Sequence, residues 1–364
     1  MATMRMARQD AVRVTVGVDT HKDAHVARAK DQLGRRLGET IVPTTPRGYR
    51  ALLAWAKSHG EVATFGVEGT GSYGAGLARH LQSEGHVVFE VIRPNRQARR
   101  RHGKSDPADA DAAASAVLAG DATGQPKAAD ATVEMIRVLR VARQTAIKAR
   151  TQAGNAMKAL VVTAPDDLRQ SLRELSTIAL VRTCARLRAG KLVDPTTATK
   201  VALRSLALRH EALETEVKVL EAQPTRLTAG VAPELLAVFG LGTDSAGALL
   251  VAAGDNPRRL RSEAAFAMLC GASPVEASSG KVTRHRLNRG GDREANRALH
   301  HIVMVRLRWH QPTKDYMARR TTEGKSKREI IRCLKRYVAR EVYAVLRSMP
   351  MSDDATGQAR GEVA

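Results

Sequence analysis

The segment VRVTVGV at residues 12–18, followed directly by Asp19, decides the fold of the first part of the chain. β-Branched residues alternate in it with period two, which is the pattern of a β-strand. The segment ATFGV at residues 63–67 leads in the same way to Glu68. The sequence therefore predicts two strands, each of which presents an acidic residue at its end.

Around these strands the sequence indicates a mixed α/β domain over residues 11–128. Residues 25–30 and 40–42 are predicted as neighbouring strands, and Gly34 marks the turn before the second of them. The other predicted elements are helices over residues 45–58 and 73–84 and a strand over residues 86–92. This alternation predicts a central sheet flanked by helices, with polar residues presented at strand ends.

The character of the sequence changes over residues 129–223. Strand signals disappear, and residues 204–222 place leucine and valine near heptad spacing with charges between them. We predict a helical coiled-coil segment here, either a helical hairpin or a coiled coil. Its expected breakpoints are Pro165, Gly190 and Pro195.

After Pro224 the sequence predicts a third, mostly α-helical domain over residues 230–348. The segment FGLG at residues 239–242 separates two short helical stretches. A glycine turn of this kind is typical of a helix-hairpin-helix, whose backbone NH groups can contact a phosphate. An ordinary helical hairpin is an equally good interpretation of this stretch. Residues 352–364 are predicted to be a disordered tail.

The net charge of +22 indicates a polyanionic partner, because so large a charge opposes compaction. Residues 281–340 contain 18 Lys and Arg against 5 Asp and Glu. This basic stretch and a second basic cluster over residues 93–104 favour nucleic-acid binding over a merely solubilising surface. Aromatic residues make up only 3% of the chain, which argues against a base-stacking platform. The predicted phosphate contacts are Arg93, Arg96, Arg99, Arg100, Arg101, Lys104, Lys281, Arg284, Arg286 and Arg289.

Other classes of protein are disfavoured. No apolar run is long enough to span a bilayer, and the first twelve residues lack the apolar core of a signal peptide. The three cysteines are far apart, which excludes a disulfide framework and a CxxC-type zinc site. We therefore expect a soluble, cytoplasmic, nucleoid-associated bacterial protein.

A third acidic motif, KSDPADAD at residues 104–111, is predicted to begin a helix. Asp106 can serve as the N-cap, with Pro107 at the first helical position. Asp109 follows three residues later, so both carboxylates can face the same way.

Together, Asp19, Glu68, Asp106 and Asp109 predict a metal site for phosphodiester chemistry. Such chemistry benefits from two divalent ions held by several carboxylates that converge from separate elements. Mg²⁺, or Mn²⁺ in its place, prefers such oxygen ligands. Taken singly, each acid is better explained structurally: Asp19 as a turn residue, Glu68 as a surface acid and Asp106 as an N-cap alone. It is their combination with the basic clusters that favours the metal site.

The motifs GVDTHKD (17–23), GVEGTGSYG (66–74) and KSDPADADAAA (104–114) resemble those of insertion-sequence transposases with a DEDD catalytic core. These transposases are similar to the Piv-type DNA invertases. The resemblance continues through LLAVFGLG (235–242) and the segment that begins with GASPVEASSG (271–280). It implies an RNase H-like, RuvC-like first domain and a C-terminal transposase domain.

The resemblance also implies a second catalytic element and further partners. A serine of the C-terminal domain is expected to attack a DNA phosphate and form a covalent phosphoserine intermediate; the matching position is Ser279, with Ser278 as the alternative. The family implies double-stranded donor and target DNA as substrates and a guide, or bridge, RNA that pairs with both. It further implies a homodimer or homotetramer in which one chain's serine completes another's metal site.

Two other functions remain open at this point. A RuvC-like junction-resolving nuclease would use the same four acids to activate water and would not need Ser279. A non-catalytic nucleic-acid-binding protein would tolerate the loss of all four acids.

Overall fold

The computed structural model describes residues 12–91, 105–129, 131–188, 190–280 and 285–349. The chain divides into two compact units. The first comprises Met1–Ala129 together with Asn256–Arg261, and the second comprises Asp130–Asp255 and Ser262–Ala364.

The first unit is built on a five-stranded sheet with the order β3-β2-β1-β4-β5. Strand β1 pairs antiparallel with β2 and parallel with β4, β2 pairs antiparallel with β3, and β4 pairs parallel with β5. The strands are β1 Arg13–Thr20, β2 Ala24–Lys30, β3 Arg36–Pro43, β4 Glu61–Glu68 and β5 Val88–Val91. With the helices that follow them, this mixed sheet fits the RNase H-like fold that the sequence predicts.

Strand β1 is the centre of the sheet and is buried on both faces. Val14, Val16 and Val18 are completely buried, and Thr15 is only 4% exposed; its hydroxyl lies 3.4 Å from that of Thr64. Successive side chains of β1 therefore point to opposite faces of the sheet, and both faces are buried.

Three described helices flank the sheet: α1 Pro46–Ser58, α2 Ala75–Ser83 and α3 Asp106–Leu118. Helix α1 begins after Thr45, whose side chain accepts a hydrogen bond from the Gly48 amide as an N-cap. It buries Leu52 and Leu53 against the sheet. The predicted helices and strands are thus present, with bounds that differ by a few residues. The prediction of Asp106 as the N-cap was wrong, since Ser105 occupies that position and Asp106 is the first residue of the helix.

The second unit is mostly helical. It begins with α4 Thr132–Val162 and continues with α5 Asp166–Leu172, α6 Thr177–Ala185 and α7 Pro195–Val231. Helices α4 and α7 pack along each other, and a core that includes Met157, Leu180 and Leu203 joins the four. Pro165 and Pro195 lie at helix boundaries as predicted. Pro224 instead lies inside α7, so the helical segment extends beyond it to Val231. The coiled coil itself stays a prediction.

In the described part of the chain, the remainder of the second unit comprises six helices and a small hairpin. These are α8 Pro233–Ala237, α9 Thr243–Ala253, α10 Glu263–Leu269, β6 Val275–Glu276, β7 His285–Arg286, α11 Arg293–Trp309, α12 Gln311–Thr322 and α13 Lys327–Ser348. The FGLG turn joins α8 to α9, with Gly240 in the left-handed region at φ 83°. Its contact with phosphate stays a prediction. Within the described residues, no helix is long and apolar enough to cross a membrane.

Candidate active site

The carboxyl ends of β1 and β4 lie side by side because the two strands are parallel neighbours. Val18 is the register partner of Val67, so Asp19 and Glu68 follow at equivalent positions. The hydroxyl of Thr20 donates a hydrogen bond of 2.8 Å to the Glu68 carbonyl oxygen and ties the two strand ends together. The structure therefore brings the two predicted strand-end acids to the same edge of the sheet.

Helix α3 lies directly on these two strands because each lacks a side chain at the contact. Gly17 and Gly66 are register partners. A Cβ on Gly17 would lie 2.0 Å from the Ala110 carbonyl oxygen, and one on Gly66 would lie 2.9 Å from that of Ala113. Since side chains alternate along a strand, the glycines mark the same sheet face as the acids two residues later. Each of the GVD and GVE motifs thus supplies an acid at the strand end and a glycine against which α3 packs.

The close packing of α3 places its first turn at the acidic edge. Asp106 is the first residue of the helix and its side chain is half exposed, whereas Asp109 is buried. Asp111, the third acid of the motif, faces β2 and β3: it accepts hydrogen bonds of 2.8 Å from Lys30 and from Arg36. Asp106 and Asp109 therefore lie at the site, whereas Asp111 anchors the helix to the sheet.

His21 is part of this acidic cluster, whereas the sequence alone favours for it a contact with the scissile phosphate and not a place among the metal ligands. Its Nε2 atom lies 3.2 Å from Asp19 Oδ2 and 3.4 Å from Asp106 Oδ2. Asp19, His21 and Asp106 each offer a ligand atom, and these atoms lie within 4.8 Å of one another. The available signal was the spacing of Asp19 and His21, since residues two apart in extended chain point the same way.

The electrostatics of the site favour a bound cation. Burial raises the pKa of Asp19 above its ordinary value, and the neighbouring Asp109 and Asp106 raise it further, while His21 lowers it. Bringing several carboxylates together in a partly buried place costs free energy unless positive charge offsets it. Hard oxygen donors at this separation fit a divalent ion of the Mg²⁺ type. The two carboxylates therefore fit a divalent cation, and the third donor of the cluster is the His21 nitrogen.

Ser279, the predicted nucleophile, lies in the second unit. It follows β6 by three residues on the connection to β7 and is exposed, as is the alternative Ser278. Arg286 and Arg289 are exposed as well. The other predicted phosphate contacts lie outside the described residues: Arg93, Arg96, Arg99, Arg100, Arg101, Lys104, Lys281 and Arg284. The predicted tail over residues 352–364 also lies outside them.

Two family models match the chain. A DEDD model described as "Transposase" matches residues 16–165, which include all four predicted acids. A model described as "Transposase IS116/IS110/IS902 family" matches residues 232–318, which include Ser279. Among curated proteins, no sequence matches this chain.

Proposed function

The chain belongs to the IS110-type family of DEDD transposases, and we propose that it cuts DNA with a Mg²⁺-dependent four-carboxylate site and a serine nucleophile. Its family domains indicate an enzyme that cleaves and joins DNA, and the DEDD domain implies the use of a divalent metal. The identity of the metal, the residues that hold it and the covalent step are our proposals.

The proposal rests on the packing of α3 against Gly17 and Gly66. It brings Asp106 of one element within reach of Asp19 of another, with His21 Nε2 between their carboxylates. Asp19, Glu68, Asp106 and Asp109 would hold Mg²⁺ or Mn²⁺. When bound, such ions polarise the scissile phosphate and stabilise the charge on the entering and leaving oxygens.

Ser279 is the proposed nucleophile. Its Oγ would form a bond to the scissile phosphorus as the bond from phosphorus to the leaving sugar oxygen breaks. The serine proton would pass to solvent or a neighbouring base, and the leaving sugar oxygen would take up a proton. A phosphoserine ester conserves the energy of the broken phosphodiester, so a hydroxyl of another strand can reverse the step without ATP.

The remaining partners follow from the family. We propose that a bridge RNA pairs with donor and target DNA and supplies the choice of sequence, with the protein holding backbones. We also propose a homodimer or homotetramer in which the serine of one chain completes the acidic site of another. Ser279 is exposed and is therefore accessible to a DNA strand.

The test compares Ser279→Ala and Asp19→Ala with the wild type on DNA, in the presence of RNA and Mg²⁺. We expect the wild type to form a covalent protein–DNA adduct and to recombine DNA. Both variants should lose the adduct and recombination.

Three outcomes would contradict parts of the proposal. An adduct formed by Ser279→Ala would overturn the serine assignment, and Ser278→Ala would then be compared. Unchanged cleavage by Asp19→Ala would overturn the metal site. Cleavage without any adduct that depends on Asp19 and not on Ser279 would indicate a resolvase-like nuclease that activates water.

A further inference from the structure

The second unit contains a cleft of about 610 Å³ at the base of the β6–β7 hairpin. One side is formed by the turn before β6, including Ser273 and Pro274, and by His285 and Arg286 of β7. The other side is formed by helices α12 and α13. The hairpin that lines this cleft also carries Ser279, between its two strands.

The lining of the cleft is strongly basic. Among the residues that the structure describes, it contains one acid, Glu329, and seven cations: Arg286, Arg320, Lys325, Arg332, Lys335, Arg336 and Arg340. Most of these cations lie beyond residue 318, where the second family match ends. Three of the seven are paired with acids outside the lining: Arg320 with Glu323, and Arg336 and Arg340 with Glu263. The other four share only Glu329 as a lining acid, so the cleft is suited to an anion.

Several of these cations are not neutralised by the protein. Within the described residues, Lys325 and Arg286 make no ion pair, and the ion pair of Arg332 with Glu329 is long, at 3.9 Å. Lys335 is only 8% exposed, and its ammonium donates a 2.5 Å hydrogen bond to the neutral Asn296 side chain. Burial lowers the pKa of this lysine. A buried ammonium beside an amide gains more from a nearby anion than an exposed one does.

The two tyrosines of the cleft favour phosphate over a stacked base. Burial raises the pKa of Tyr316 to about 12, so its phenol stays protonated and adds no negative charge. The guanidinium carbon of Arg319 lies 5.4 Å from the ring centroid of Tyr316, and that of Arg340 lies 5.8 Å from the ring centroid of Tyr337. A guanidinium group therefore lies over each ring, which leaves less of the ring surface to a stacked base.

We propose that this cleft binds the phosphate backbone of a single nucleic-acid strand beside the hairpin that carries Ser279. Its volume lies within the range of small-molecule pockets, roughly 300–1,000 Å³, so it admits a few nucleotides of one strand and not a double helix. The assignment rests on the proposed function only in taking nucleic acid as the polyanion. Through this cleft the second unit would bind the strand without a metal ion.

The test measures binding by the full-length protein in EDTA, so that neither metal nor cleavage contributes. The probes are a short single-stranded DNA, the RNA of the same sequence and the corresponding DNA duplex. The variant Lys325→Gln/Arg332→Gln removes two cations from the cleft. The matched control Lys314→Gln/Lys327→Gln removes two exposed lysines from the same two-helix region that do not line it.

We expect the cleft variant to weaken single-strand binding at least tenfold more than the control. Its plot of log K against log salt should be shallower by about 1.4, because each phosphate contact on a single strand contributes roughly 0.7. Loss confined to the DNA strand or to the RNA strand would identify which strand the cleft holds. Equal losses in the cleft and control variants, or a loss confined to the duplex, would overturn the proposal.

The cleft proposal and the proposed metal site can be disproved separately. If the cleft assignment is wrong, the cleft variant keeps its affinity for single strands whatever the outcome with Asp19→Ala. If the metal site is wrong, Asp19→Ala still cleaves, and the binding measured in EDTA is unaffected.

Discussion

Gly17 of β1 and Gly66 of β4 are register partners. Because neither has a side chain, helix α3 packs directly against the strand backbones at these two positions. The helix contributes small residues to the contact: Ala110, Ala113 and Ala114 are almost completely buried. The positions of Asp106 and Asp109 relative to Asp19 are therefore set by the backbone-to-backbone approach of a helix and two strands.

The first prediction concerns this approach. In Gly17→Ala the new Cβ would lie 2.0 Å from the Ala110 carbonyl oxygen and 2.3 Å from the Ala114 amide nitrogen, so α3 must move. We expect a destabilisation of about 1–3 kcal/mol in urea unfolding, which is typical of overpacking. DNA cleavage should fall by at least tenfold. Gly71→Ala is the control, because nothing lies within 4 Å of a Cβ there. Equal activity of the two variants would show that the close approach is not needed.

The second prediction concerns Asp19. Because its pKa is raised in the folded protein, the stability associated with its protonated form is present below the ordinary pKa and is lost as pH rises through the raised value. At pH 7 without metal, Asp19→Asn should therefore melt at a higher temperature than the wild type. Mg²⁺ at about a hundred times its Kd should stabilise the wild type by roughly 2.7 kcal/mol and the variant far less.

The measurement is thermal unfolding with Mg²⁺ or with EDTA. Asp23→Asn, which alters an exposed acid four residues later, serves as the control and should respond to Mg²⁺ like the wild type. Destabilisation of metal-free Asp19→Asn, or an undiminished response to Mg²⁺, would contradict the prediction.

Much of this arrangement could be predicted from the sequence. Two strands that end in GVD and GVE indicate an acidic edge, because the period-two pattern fixes where each strand ends. The sequence did not indicate that the two glycines are partners or that α3 covers them, since strand pairing and helix docking are non-local. For the same reason the contact between His21 and Asp106 was not predicted, because Asp106 lies 85 positions further along the chain.

The third prediction concerns Asp111, whose role differs from that of its neighbours. Burial raises its pKa, but hydrogen bonds from Lys30 and Arg36 outweigh burial and hold the pKa below its ordinary value. Asp111→Asn leaves the buried Lys30 ammonium without its carboxylate, and we expect a loss of about 3 kcal/mol at pH 7. The anchoring of α3 should weaken with it, and so should stabilisation by Mg²⁺.

Urea unfolding across pH tests the assignment. The contribution of Asp111 is present above the ordinary carboxyl pKa and is lost as pH falls through the lower folded value, so the two proteins should converge on acidification. Glu39→Gln is the control: its ion pair with Arg28 is more exposed, and its loss should cost about 0–1 kcal/mol. A constant difference between wild type and Asp111→Asn at all pH values would contradict this account.

The fourth prediction concerns His21. Its Nε2 lies between Asp19 and Asp106, and its charge and its hydrogen bond both lower the pKa of Asp19. In His21→Ala the pKa of Asp19 should rise further, so Mg²⁺ should begin to stabilise the protein only at a higher pH than in the wild type. Groups that orient metal ligands typically contribute about 10–100-fold to metal affinity, and we expect a weakening in that range. Lys22→Ala, at the exposed neighbouring position, should leave the pH of onset unchanged. If His21→Ala binds Mg²⁺ with the affinity and pH dependence of the wild type, then His21 neither positions nor supplements the carboxylates.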